Sequence, residues 1–213
     1  VKYHIYMKNM LEETENLHIK QDEICEVLTE DGKVTGVVTR LGSKYAAKAV
    51  IIAGGTYLNG MIHVGDCSYT GGPDNVMPAT KLSDSLDKIG VSLRRFKTGT
   101  PARVHKRSIN FDLLEKQDGD EKITPFAFDN ENELKNTVSC YIAYTNAETH
   151  RVIRENIHRS PIYSGRIEGV GPRYCPSIED KIMRFPDKPR HQIFVEPMGL
   201  DTDEYYLQGM SSS

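Results

Sequence analysis

The run GVGPRYCPSIEDK, residues 169–181, sets a cysteine between an arginine–tyrosine pair and a proline, just before a helix start. Ser177 is the natural N-cap of that helix, which places Cys175 within a turn of the helix N-terminus. Arg173 and Lys181 are close in sequence. Helix-end amides and nearby cations stabilise a thiolate, the form in which cysteine attacks electrophiles. With Gly169 and Gly171 beside it, the same end also suits an anion or a nucleotide phosphate. A small buried hydrophobe is the other reading of a lone cysteine, and spacing alone does not choose between them. Cys25, Cys67 and Cys140 lack this setting and are assigned no chemistry. There is no CxxC and no His/Cys cluster at zinc spacing, so no metal is expected.

Three further constellations bear on chemistry. AVIIAGGTYLNG, residues 49–60, reads as a buried strand ending in small residues, where a ligand can approach the backbone closely. A tight turn after a core strand would look the same, and no GxGxxG is present to cradle a pyrophosphate. RRFKTGTPARVHKR, residues 94–107, holds six Lys/Arg, one His and no acid. Positive charge on a flexible loop suits a phosphate chain, or it pairs with the acidic stretch that follows. On the helix after Thr145, His150, Arg154 and His158 recur every four residues, with Arg151 and Arg159 beside them. Such a stripe either meets a nucleic-acid backbone or is a solvated face. His63, between Gly60 and Gly65, is not distinguished from a packed histidine.

The elements that position these residues follow from periodicity and turn signals. Tyr3, Tyr6, Met7, Met10 and Leu11 predict an amphipathic helix over 1–14. Strands are expected at 17–20, 24–30 and 33–40, the last two flanking an Asp31-Gly32 hairpin turn. The apolar run 47–53 reads as a strand buried on both faces. A helix over 80–89 stops at Gly90, and 91–96 reads as a strand. Residues 111–135, with eight acids against three lysines, form a long surface excursion. A strand at 141–144 precedes a helix over about 146–159, for which Thr145 and Glu148 form a capping-box pattern. A short helix follows Ser177 to about Arg184, and 191–196 is a last strand. The fold class is α/β.

The chain has 213 residues, 38% hydrophobic and 27% charged, with a formal net charge of -3, so any nucleic-acid footprint must be local. No apolar run approaches the roughly 20 residues that span a bilayer, and no signal peptide is visible. Reduced thiols and a cytoplasmic location are expected. Both ends look cut, as in a piece of a larger protein.

Taken together, GTYLNGMIHVG (55–65), KTGTPARVHKRSINF (97–111), CYIAYTNAETHRVIREN (140–156), the stretch from Ser160 to Pro197 and GLDTDEYYLQGMSSS (199–213) occur in one order that resembles the MnmG (GidA) family. These are FAD-dependent enzymes that modify the wobble uridine of certain tRNAs. The resemblance covers almost the whole chain and is to an internal part of the family's length. It implies part of a Rossmann-like FAD-binding domain with an inserted NAD-binding-like α/β domain: 1–65 in the FAD domain, 66–190 in the insertion facing NAD and tRNA, and 191–213 returning to the FAD domain. It implies reduction of FAD by NADH and transfer of a one-carbon unit from methylenetetrahydrofolate to uridine C5. An amine from glycine or ammonium completes the group. The partner GTPase is MnmE, and the family works as a homodimer.

Carried over residue by residue, the resemblance places FAD at Ile24, Gly54, Gly55, Thr56 and Ala79. It places NAD along Gly171, Pro172, Arg173, Tyr174, Cys175, Pro176, Ser177, Ile178, Glu179, Asp180, Lys181, Ile182, Met183, Arg184 and Phe185. Cys175 is the expected catalytic thiol, adding to uracil C6 or resolving the adduct. The tRNA contacts are assigned to Arg94, Arg95, Lys97, Arg103, Lys106, Arg107, His150, Arg151, Arg154 and His158. Three positions depart from the pattern. Ala79 stands for a serine, Met198 for the glutamate of EPEG, and Pro73-Asp74 for an arginine-containing run. An incomplete module that only binds tRNA or nucleotide, and an NADH–flavin oxidoreductase for a small molecule, are the alternatives.

Overall fold

A computed structural model describes residues 2–130, 133–167 and 176–212. The chain divides into two compact units, residues 1–93 and 94–213. The division thus falls beyond 65, and residues 191–212 lie inside the second unit rather than beside the first.

In the first unit, α1 (Lys2–Glu13) is a helix with no buried residue. Strands β1 (Ile24–Glu30) and β2 (Lys33–Thr39) form the expected hairpin, extended by β3 (Lys44–Ala46) into an antiparallel sheet of order β1-β2-β3. Asp31 and Gly32 at the turn both take positive φ, 50° and 74°, which matches the right-handed twist of a two-residue hairpin. Helix α2 (Lys81–Lys88) covers β1, burying Leu86 against the face that carries Val27. The Val27 amide donates to the Ser85 hydroxyl at 3.0 Å, so the helix supplies the acceptor that the strand pairing leaves out. Gly90, at φ 88°, ends the helix. A small antiparallel ribbon joins β4 (Met61–Val64) and β5 (Cys67–Thr70).

Three expected strands are absent. Residues 17–20, 47–53 and 91–96 form no ladder. Ile51 is 93% exposed, the reverse of a strand buried on both faces. A parallel strand exists only when neighbours satisfy its amides and carbonyls; the Ala47 amide donates to the Thr35 carbonyl at 3.0 Å, but 48–53 join no ladder among the described residues.

The second unit is a five-stranded antiparallel sheet of order β6-β10-β9-β8-β7: β6 (Arg103–His105), β7 (Glu115–Gln117), β8 (Cys140–Tyr144), β9 (Gln192–Pro197) and β10 (Glu204–Gln208). Along β9, Ile193 and Val195 alternate inward with exposed Gln192, the period-two pattern of a half-buried strand. Ile142, Tyr205 and, from the helices, Ile178 and Ile182 complete the core. Helices α3 (Ala147–Glu155) and α4 (Ile178–Arg184) pack together. Phe111 holds one end of the sheet, its ring 4.6 Å from Tyr141 and 5.4 Å from Tyr205. The acidic excursion is mostly irregular and exposed, as expected, apart from the edge strand β7.

Candidate functional site

Ser177 has no exposed surface, and its hydroxyl accepts from the Asp180 amide at 3.3 Å, the N-cap that the sequence indicates. The helix it opens is tied down on several sides. The Ile178 amide donates to the Ser211 carbonyl at 2.7 Å. Ser160 donates to Glu179 and Tyr163 to Asp180, both at 3.0 Å. The Lys181 ammonium reaches the Gly209 carbonyl at 3.4 Å. The segment after β10 therefore acts as a backstop for α4. Of residues 176–185, Ser177, Ile178, Glu179 and Ile182 face inward, while Met183, Arg184 and Phe185 are exposed. Gly171, Pro172, Arg173, Tyr174 and Cys175 lie outside the described residues.

Thr145 does not cap α3. Asn146 does, its side chain accepting from the Thr149 amide at 2.8 Å. The Thr145 hydroxyl instead accepts from the His191 amide at 2.8 Å and hydrogen-bonds His150 Nε2 at 2.8 Å. The two imidazoles lie 5.5 Å apart between centroids, tilted by 41° to each other. Burial pushes the His150 imidazole down from its ordinary value, with Arg154 adding to it. Burial also lowers His191, and the positive neighbours His150, Lys188 and Lys181 add to it. His191 Nε2 is buried without a hydrogen-bond partner.

Both rings are therefore held neutral. Above the ordinary imidazole value of 6.5 neither the folded nor the unfolded chain carries these protons, and stability is full. Below it the unfolded imidazoles take up protons that the folded ones refuse, so stability falls with pH until the folded values are passed. Hydrogen-exchange protection of the β8 and β9 amides should drop between about pH 7.5 and about pH 5.5. The drop should shrink in His191→Asn. A variant with the same drop as the parent would sink the account.

The basic residues do not form one stripe. His150 is 3% exposed, and α3 ends at Glu155, so His158 sits on a separate 3-10 turn. On α3, His150 shares its inward face with half-buried Ile153, three residues on. Arg151 is held between Glu148 and Glu155, which raise its pKa. Arg154 reaches the Pro186 carbonyl at 3.3 Å. In the other basic run, Arg94, Arg95, Arg103, Lys106 and Arg107 are exposed but Lys97 is buried. His105, Lys106, Arg107, Ile109, Phe111 and Asp203 line a groove there, and Arg103 lies 3.9 Å from Glu204.

In the first unit, residues 54–59 form the expected small-residue turn. The Tyr57 amide donates to the Gly54 carbonyl at 2.9 Å, and Gly55 takes φ 52°. A Cβ at Gly55 would meet nothing within 4 Å, so the backbone there is open to a flat ligand. Ala79 pins the turn: its amide donates to Tyr57 and its carbonyl accepts from Asn59. Its side chain is a methyl, so any polar contact it makes with a ligand is through its carbonyl. Ile24 opens β1 opposite Thr39, at a register irregularity. Gly54, Gly55 and Thr56 are the residues of this turn at which a ligand could meet the backbone.

The model of the family described as glucose inhibited division protein A matches residues 1–213. The chain belongs to this GidA family. The chain is 58% identical over 212 residues to the tRNA uridine 5-carboxymethylaminomethyl modification enzyme MnmG of Caldicellulosiruptor saccharolyticus, and 55% identical to that of Clostridium botulinum. In each case all of this chain matches 34% of the relative, so it spans about a third of their length. Among solved structures, Aquifex aeolicus GidA superposes with a TM-score of 0.89 at 48% identity, over all of this chain and 36% of that one. The mixed α/β class agrees with that GidA fold. Among the described residues no helix is long and apolar enough to cross a membrane, and no group of side chains could hold a metal ion. Sequence reasoning missed the Thr145–His150–His191 cluster. The three-residue spacing of His150 and Ile153 carried part of the signal.

Proposed function

We propose that this chain is the central, cofactor- and RNA-handling part of an enzyme that modifies the wobble uridine of tRNA at C5. The observation that carries the reading is a match along every residue of the chain to relatives named for that activity, at up to 58% identity. In this reading the first unit holds FAD against Gly54, Gly55 and Thr56, with Ile24 beside it. The second unit takes NADH along the 171–185 segment and tRNA on the exposed cations. FAD, when bound, passes reducing equivalents from NADH to a one-carbon group supplied by methylenetetrahydrofolate.

The residues of the chain do the positioning. The open Gly55 backbone admits a ring closely. Ser177 and the 209–211 segment fix α4, so that Met183, Arg184 and Phe185 present one exposed edge. The exposed side chains of Arg94, Arg95, Lys106 and Arg107 are suited to phosphates. Cys175 supplies the nucleophile for uracil C6. The partner is the GTPase MnmE, the assembly a homodimer and the location cytoplasmic.

The test is made on the intact protein. It should purify with flavin absorbance and restore the C5 modification to tRNA from cells lacking it. Its tRNA affinity should fall steeply with salt. Protein that binds tRNA but restores nothing would reduce the reading to a binding module. Colourless protein would remove the flavin assignment.

A further inference from the structure

Tyr144 and Arg190 are the chain neighbours of the buried pair Thr145 and His191. The Thr145 amide donates to the His191 carbonyl at 2.9 Å, and the His191 amide donates to the Thr145 hydroxyl at 2.8 Å. The backbone that carries Tyr144 and Arg190 is thus fixed by the core. On the surface, the Arg190 guanidinium carbon lies over the Tyr144 ring, 4.0 Å from its centre. That is contact distance, well inside the roughly 6 Å over which a ring face holds a cation. Tyr144 is 41% exposed and Arg190 is exposed. Among the described residues the Arg190 guanidinium makes no ion pair. The two side chains form a flat, charged platform on a rigid base.

Further cations gather beside it. Lys188, two residues before Arg190, is exposed and close enough to His191 to act on its ring as a like charge. From α3, the exposed Arg154 reaches the Pro186 carbonyl at 3.3 Å, at the start of the same loop 186–190. Asp187 is the one acid of that loop, against Lys188 and Arg190. The folded chain thus joins cations that sequence spacing does not. A guanidinium stacked on a phenol presents an extended flat surface, on which an unpaired base can lie. A base inside a duplex has both faces covered by its neighbours. An acidic peptide would meet the charges and gain nothing from the ring.

We propose that Tyr144 and Arg190 are a stacking platform for an unpaired base of the RNA substrate, with Lys188 and Arg154 meeting the flanking phosphates. The assignment rests on the reading that this chain handles tRNA. It names a contact surface for single-stranded nucleotides, separate in sequence from the basic run 94–107.

The test uses the intact protein and two labelled probes, a short single-stranded oligouridine and a duplex RNA of the same length, titrated by fluorescence anisotropy. Arg190→Ala and Tyr144→Leu should each weaken oligouridine binding about 5- to 100-fold, the range for losing one base–aromatic stack. Tyr144→Phe should bind like the parent. Arg190→Lys keeps the charge and loses the plane, so it should stay weak. Lys188→Ala should lower the salt dependence of binding by about one phosphate contact. Duplex binding should stay near the parent's in Tyr144→Leu. If that variant loses its fold, the Arg190 variants, changed only at the surface, carry the comparison. Oligouridine affinity at the parent's level in Arg190→Ala overturns the platform and leaves the tRNA reading standing. Full recovery by Arg190→Lys, or an equal loss on the duplex in Tyr144→Leu, overturns it in favour of a backbone contact. Polyglutamate that binds the parent and loses that binding in Arg190→Ala, while oligouridine does not, overturns it in favour of an acidic protein. A parent that binds neither RNA overturns the platform together with the tRNA reading.

Discussion

Replacing Cys175 by serine in the intact protein is expected to lower uridine modification by about a thousandfold or more while flavin absorbance stays unchanged. C5 of uracil is a poor nucleophile until a group adds to C6 and pushes electrons onto C5. A thiolate adding across the C5–C6 double bond does this. Once C5 has taken its new substituent, loss of the C5 proton expels the thiolate and restores the ring. Serine keeps the shape and loses the nucleophile, because an alkoxide is far less accessible than a thiolate near neutral pH. By sequence, Cys175 stands two residues before the buried N-cap Ser177. Wild-type modification by the serine variant would remove the thiol from the mechanism. Loss of flavin together with activity would make the residue structural.

The second large effect lies in the buried histidine cluster. Thr145→Val keeps the volume of the side chain and removes its oxygen. The His191 amide loses its acceptor and His150 Nε2 its partner, both in the interior. Each orphaned group costs about 1–3 kcal/mol, so a loss of roughly 2–4 kcal/mol is expected, a large share of a domain's roughly 5–15. Thr145→Ser should restore nearly all of it. Asn146→Ala, which removes the true cap, should cost only about 1 kcal/mol. Hydrogen exchange of the β8 and β9 amides reads all three. A Thr145→Val effect no larger than that of Asn146→Ala would mean that the hydroxyl matters only to the helix end.

These two residues show what the sequence could disclose. Local signals were legible: Asp31-Gly32 specified its hairpin, Gly90 ended α2, and Ser177 capped α4, because each depends on a few consecutive residues. Adjacent Thr145 and Asn146 are both good caps, and only the distant His191 decides which of them is used for something else. The four-residue recurrence of His150, Arg154 and His158 suggested a surface stripe. Its failure reflects the end of α3 at Glu155, which puts His158 on a separate turn, and the inward face that His150 shares with Ile153. Within the candidate site, the glycine turn at 54–56 was readable from small residues after an apolar run. The burial of Lys97 was not, because it depends on how the loop 97–101 folds rather than on its composition.

Residues 47–53 carry one more consequence. The stretch Ala-Lys-Ala-Val-Ile-Ile-Ala is apolar but for one lysine, rich in β-branched side chains and without proline, and Ile51 stands in solvent. Such a stretch, outside any ladder among the described residues, is a template for identical stretches from other molecules, which can stack on it in register. Produced as these 213 residues alone, the chain would carry its own seed for fibrils and inclusion bodies, and handling it would mean covering that stretch first.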